Sequence, residues 1–444
     1  MNELLIEPFQ GPASGRAQIP GSKSISNRAL ILAFLSESTV EIRNLLRSQD
    51  TDVLREAFET LGIQASEKSS GSIQVTGCSG QPPNDSGEIY VENAGTVARF
   101  LPAALSLMPE GNFEFDGSEA MRKRPMAGLL DCLKALGTSV DYQGEEGYFP
   151  FRLSTRGWSP KTLSVDASRS SQILSALLIA ATRAPHPMRI RLEGETVSKP
   201  FVEMTVRMIR QFGGTISFEE PDFLIEPGLT GPTTGVYDIE PDASAASYFF
   251  ALPIAVGGAT TVGSFPEESL QGDLAFTEVL QEIGLSQCLS NGDVILDGTT
   301  KTRAVDVDFN AFSDTFLTLA ALAPLLPGTT RIRGIAHTRH QETDRVAAMA
   351  TELRKLGQGI VEEEDSLTIT PNRSAMVELS QAAPIAIDTY EDHRVAMSFG
   401  ILASHDLHGD GRPWIQIRNP ECCRKTFPKF FEELARMRSI ANAR

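Results

Sequence analysis

The chain has 444 residues, with 40 basic and 57 acidic side chains and a formal net charge of −17. That length supports a sizeable core and two or three domains. So acidic a balance argues against a nucleic-acid surface, which needs a basic stripe, and cations for any anionic ligand must be gathered locally.

In chain order, the start MNELLIEPFQGPASGR has neither a basic segment with an apolar stretch nor an Arg- and Ser-rich composition, so the expected location is the cytoplasm. From Ser22, SKSISNR opens an apolar helix; the alternating strand TVEIRNL follows from Thr39, and then an amphipathic helix closing on Gly62. The same signals return five times. NAGTVAR from Asn93 leads to NFEFDGS from Asn112 and Gly137, and SRSSQ from Ser168 to MRIRLEG from Met188 and Gly213. DASAAS from Asp242 leads to ATTVGSF from Ala259 and Gly284, and SDTF from Ser313 to TTRIRGI from Thr329 and Gly357. DHR from Asp392 and WIQIRNP from Trp414 make the sixth copy. A near-constant glycine spacing on this scale marks a repeat architecture. The expected boundary lies in GVYDIEPDAS, where Pro241 follows a predicted strand, with a second crossing near Pro20 and Gly21. If the N-terminal strand pairs with the C-terminal half, one domain is 21–240 and the other is 1–20 plus 241–444, with a hinge at the two crossings.

The five cysteines form no CxxC pair, and adjacent Cys422 and Cys423 suit a disulfide framework poorly, which points to a reducing compartment. Apolar runs such as FLTLAALAPLL from Phe316 are far short of a membrane span. The histidines offer no HExxH; His337 and His340 could face one way on a helix, but no metal is expected.

Each repeat places polar residues where its first helix begins. Exposed N–H groups and the helix dipole make such positions natural anion sites, and Arg28, Arg99 and Arg394 lie close to three of them. Convergence of several such ends predicts a site for a small, multiply anionic ligand. Lys23 and Arg28 are near enough to face one cleft, and Gly95 lets backbone approach a phosphate. Thr96 could equally be an ordinary cap, and the run Arg122, Lys123, Arg124 does not say which cation points inward. Ser170, Ser171 and Gln172 can cap a helix or bind phosphate. Asp314 and Glu342 lie at or beside helix starts, where a carboxylate is usually a cap. Arg345 follows Glu342 on the same helix face and could pair with it or with Glu352.

Ten motifs in order, IPGSKSISNRALIL, NAGT with Arg99, RKRPM, SSQILSALL, SKPF, DASAASYF, SDTFLTLAAL, RHQETDRVAAMATELRKLG, DHRVAMSFG and RKTFP, resemble the 5-enolpyruvylshikimate-3-phosphate (EPSP) synthase family over nearly the whole chain. The resemblance implies a two-domain inside-out α/β barrel, each domain having three βαβαββ repeats around buried helices. It also implies transfer of the enolpyruvyl group of phosphoenolpyruvate to the 5-hydroxyl of shikimate 3-phosphate, with loss of phosphate by addition and elimination and no cofactor. For shikimate 3-phosphate it implicates Lys23, Ser24, Arg28, Ser170, Ser171, Gln172, Ser198, Asp314, His337 and Gln341. For phosphoenolpyruvate it implicates Lys23, Gly95, Arg124, Gln172, Arg345, Arg394 and Lys425, a ligand grasped from both domains as the hinge closes. Asp314 becomes the proton acceptor from the hydroxyl and Glu342 the donor to the methylene carbon, with Lys23 sharing proton traffic. The ligands are then small molecules, with no nucleic acid or membrane partner, and a monomer is expected.

Glyphosate inhibits many members at the phosphoenolpyruvate site, and the small Gly95 that leaves room for it is present. Four positions depart from the family pattern: His337 and Gln341 replace Asn and Lys, and Phe100 and Phe201 replace Pro and Tyr. His340 or Arg169 is the expected compensation for the missing lysine. The sister enzyme acting on UDP-N-acetylglucosamine would carry a cysteine where this chain has Glu119, and a non-catalytic protein of this fold would have lost charged site residues that are all present.

Overall fold

The computed structural model describes residues 3–68, 71–166, 170–194, 199–298 and 301–443. The chain divides into two compact units, Gly21–Glu240 and Met1–Pro20 with Pro241–Arg444. Each is built from three repeats of one plan.

The apolar stretches form inner helices: α1 (Lys23–Leu35), α2 (Val97–Leu105) and α3 (Ser171–Ala181) in the first unit, and α4 (Ala243–Val256), α5 (Phe316–Leu322) and α6 (His393–Ala403) in the second. They are apolar on all sides, as a helix surrounded by protein must be. Every residue of α6 is buried, as is every residue of α1 from Ile25 onward.

The six alternating segments are the strands β1 (Val40–Arg43), β2 (Gly111–Asp116), β3 (Met188–Glu193), β4 (Ala259–Val262), β5 (Thr330–Arg333) and β6 (Ile415–Arg418). Each has a parallel neighbour on one side and an antiparallel neighbour on the other. In β2 the parallel partner is Ser86–Tyr90, with Glu88 opposite Glu114, and α2 is the crossover between the two strands. An outer amphipathic helix accompanies each sheet and a hairpin completes the first five, and Gly137 closes one such helix at φ 113°, a left-handed conformation that favours glycine.

Three sheets borrow strands from distant sequence. The first repeat takes its parallel strand from Val236–Asp238 at the end of its own unit. The fourth takes Arg16–Ala17, and the last takes Glu3–Leu5 antiparallel to β6. The N-terminal segment is thus part of the second unit, which also contains α4, α5 and α6.

Candidate active site

In the unit Gly21–Glu240, the starts of α1 and α2 are joined by a side chain. The Asn27 amide of α1 donates to the Thr96 hydroxyl before α2 at 2.9 Å, and Arg99 donates to the Gly95 carbonyl at 3.0 Å and the Pro125 carbonyl at 3.2 Å. Neither Ser22 nor Thr96 caps its helix with its own side chain. The six helix openings are therefore not equivalent anion sites, as their sequences suggested. α3 is capped by Ser170, and α4 and α6 by the carboxylates of Asp242 and Asp392, whose oxygens take the N–H groups an anion would use.

Of the three cations in the 122–124 run, Arg122 is exposed and pairs with Asp116, Lys123 is exposed, and Arg124 turns inward. Its guanidinium lies over Gly95, where an added Cβ would meet Nη1 and Nη2 at 2.8 Å. Arg124 Nε and Nη1 are buried without a hydrogen-bond acceptor among the described residues. Buried N–H donors are normally satisfied, so this pair of atoms calls for an acceptor that the described residues do not supply.

Arg28 is 1% exposed. Its Nε donates to Thr205 at 2.8 Å, Nη1 to the Ser24 carbonyl at 3.0 Å, and Nη2 to Ser175 at 3.3 Å and the Phe201 carbonyl at 3.2 Å. The rings of Phe100 and Phe201 stand 5.1 and 6.0 Å from its guanidinium carbon. All of these partners are neutral, and burial pulls its pKa down to about 9, leaving it charged at neutral pH. Lys23 is the first residue of α1 and is half-buried; Ser171 is buried, with Gln172 half-buried beside it. Ser198 and Arg169 lie outside the described residues.

In the other unit the charged residues are gathered around Arg345. Its Nε donates to Asp392 at 2.8 Å, Nη1 to Asp314 at 2.9 Å and to Gln341, and Nη2 to Glu342 at 2.9 Å. Arg394 donates to the other oxygen of Asp314 at 2.6 Å, and Lys425 Nζ stands 3.1 Å from the other oxygen of Glu342. Burial opposes the Arg345 charge, yet Asp392, Glu342 and Asp314 raise its pKa above the ordinary arginine value. Glu352 pairs instead with Lys355 and accepts from Tyr390.

His337 bonds Ser313 at 2.8 Å, and burial lowers its pKa. Gln341 accepts from Arg345, and His340 is exposed. Sequence reasoning missed Asp392 as an Arg345 ligand, although DHR had marked it as a helix start. It also missed Ser175 and Thr205, whose contacts with Arg28 no spacing signals.

The EPSP synthase (3-phosphoshikimate 1-carboxyvinyltransferase) family model matches residues 9–434. The chain belongs to the EPSP synthase family. It is 44% identical to the 3-phosphoshikimate 1-carboxyvinyltransferase of Opitutus terrae, covering 98% of this chain and 97% of that one. The protein of the same name from Vibrio atlanticus is 38% identical, over 98% and 99% of the two chains. EPSP synthase from Acinetobacter baumannii superposes with a TM-score of 0.76 at 23% identity over 98% of each chain. The enolpyruvyl transferase NikO from Streptomyces tendae gives 0.72 at 18% identity, over 98% of this chain and 97% of that one. The fold is therefore the two-domain inside-out α/β barrel of the EPSP synthase family.

Proposed function

We propose that the protein transfers the enolpyruvyl group of phosphoenolpyruvate to the 5-hydroxyl of shikimate 3-phosphate in the shikimate pathway, and that Asp314 and Glu342 move the protons. The observation that carries the assignment of roles is Arg345, whose single guanidinium holds both carboxylates at 2.9 Å. The reaction needs a base for the hydroxyl and an acid for the methylene carbon. Each carboxylate also touches a second cation, Arg394 for Asp314 and Lys425 for Glu342. Those cations keep the carboxylates oriented and offer N–H donors to an anionic substrate.

Within the other unit, Arg124 and the uncapped start of α2 at Gly95 supply donors for a phosphate, and Lys23 adds charge at the start of α1. Arg28, a buried cation without a carboxylate partner among the described residues, suits a substrate that brings its own charge. Ser24, Ser170, Ser171 and Gln172 complete the shikimate 3-phosphate contacts in this reading. The family pattern assigns His337 and Gln341 to the same substrate, with Gln341 a neutral amide in place of a lysine.

No described helix is long and apolar enough to cross a membrane. The free state of all five cysteines suits a reducing compartment, and we read the protein as a cytoplasmic monomer without nucleic-acid partners. The test is phosphate release from phosphoenolpyruvate, followed with and without shikimate 3-phosphate. Release is expected only when both substrates are present. Release that ignores shikimate 3-phosphate, or that requires a UDP-sugar, overturns the reading.

A further inference from the structure

Behind the Asp314–Arg394 pair lies a carboxyl group to which the family reaction assigns no part. Asp273 sits on the 3-10 turn Gly272–Ala275, which packs against α4 and against the turn Ser313–Thr315 that carries Asp314. It is 5% exposed. One carboxyl oxygen accepts the Ser244 hydroxyl, and the other, Oδ1, is buried with no donor among the described residues. Burial, Asp314 and Asp242 oppose its ionised form, which is favoured first by the Ser244 hydrogen bond and then by Arg394. Arg394 is buried as well, and its charge is supported by Asp314, Tyr248, Asp242 and Asp273.

We propose that Asp273 is a positioning residue that sets how readily Asp314 accepts a proton, by sharing Arg394 with it. When Asp273 is ionised, it draws on Arg394 and repels the neighbouring negative charge, so Asp314 becomes the stronger base. When Asp273 is neutral, Arg394 serves Asp314 alone and the carboxylate is a weaker base. Burial first, and then the Asp314 charge, push the Asp273 carboxyl up to about 7, which puts the change near neutral pH. Arg345 also faces Asp314 and stays charged in both states, whereas burial disfavours the charged form of the nearby His337, which therefore adds no fixed charge near neutral pH.

The proposal rests on Asp314 being the proton acceptor, and kcat/KM against pH tests it. The wild type is expected to gain several-fold as pH rises through neutrality, because Asp273 ionises there. In Asp273→Asn, of similar shape but without the charge, that rise should vanish. In Ser244→Ala, which removes the hydroxyl donor and makes Asp273 harder to ionise, it should move to higher pH. A folded Asp273→Asn protein that keeps the rise, or a flat wild-type profile, overturns the proposal. If Asp273→Asn does not fold, Ser244→Ala decides: an unmoved profile overturns it. Failure of the underlying reading is distinct, since Asp314→Asn would then keep its turnover.

Discussion

Asp314 and Glu342 are hard to replace cleanly because each is part of the support of a buried cation. Asp314→Ala would leave Arg345 and Arg394 short of a carboxylate, and breaking a buried pair from one side costs about 3–5 kcal/mol. Asp314→Asn and Glu342→Gln keep the shape and remove the proton chemistry. Steady-state assays of both should show turnover lower by roughly 10²- to 10⁴-fold, with unfolding midpoints close to wild type. Near-wild-type turnover in either would remove that residue from the acid–base pair. Gly95 raises a different question. Its added methyl would meet the tip of Arg124, a flexible side chain able to yield, so Gly95→Ala should fold normally. The displaced guanidinium should raise KM for phosphoenolpyruvate, and it should raise the inhibition constant of the longer glyphosate molecule more. Equal changes in the two constants would show that crowding at Gly95 is not what separates these ligands.

Elements differ in how their ends are used. α4 and α6 begin with carboxylate caps, whereas α1 and α2 begin uncapped, and Arg28 links α1, α3 and the outer helix Lys199–Gln211 beneath those open ends. Phe100 of α2 closes the arrangement by placing its ring against the same guanidinium. The two departures at Phe100 and Phe201 thus act at one place, on a cation whose described partners are neutral. Removing Arg28 removes the desolvation cost of its charge and leaves no described carboxylate unpaired, against which stands the loss of its hydrogen bonds to neutral acceptors, about 1 kcal/mol each. Arg28→Met should therefore unfold within about 2 kcal/mol of wild type, allowing for the lost cation–aromatic contact. Its KM for shikimate 3-phosphate should rise by roughly tenfold or more, the loss of a charge-assisted hydrogen bond. A large loss of stability with unchanged KM would make Arg28 a structural strut.

On the scale of the whole molecule, strand supply distinguishes the two units. Gly21–Glu240 contains every strand of its three sheets, including Val236–Asp238, which completes the first. The second unit depends on Glu3–Leu5 and Arg16–Ala17, which lie far away in sequence. A protein of residues 21–240 alone should melt cooperatively in circular dichroism, and one of residues 241–444 alone should not, because β4 and β6 each lose a neighbour. Cooperative melting of the second piece would mean that the N-terminal strands decorate a unit already stable without them.

The repeat and its elements were legible in the sequence because local signals carry them: apolar runs for inner helices, alternation for β1 to β6, and glycines such as Gly137 where a left-handed turn ends an outer helix. The family was legible from motif order. What the sequence left open were choices of direction and partner. Three consecutive cations at 122–124 differ only in where the backbone aims them, and the pairing of Arg122 with Asp116 leaves Arg124 to lie over Gly95. A cap and a ligand-binding group look alike in sequence, so Asp242 and Asp392 could not be told from Asp314 until the N–H groups they accept from were known. Likewise Arg345 had several carboxylates within reach along the chain, and only packing chose Asp314, Glu342 and Asp392 over Glu352. Local propensity acts over a few residues, but charge pairing in a dry interior depends on which side chains arrive together from distant repeats.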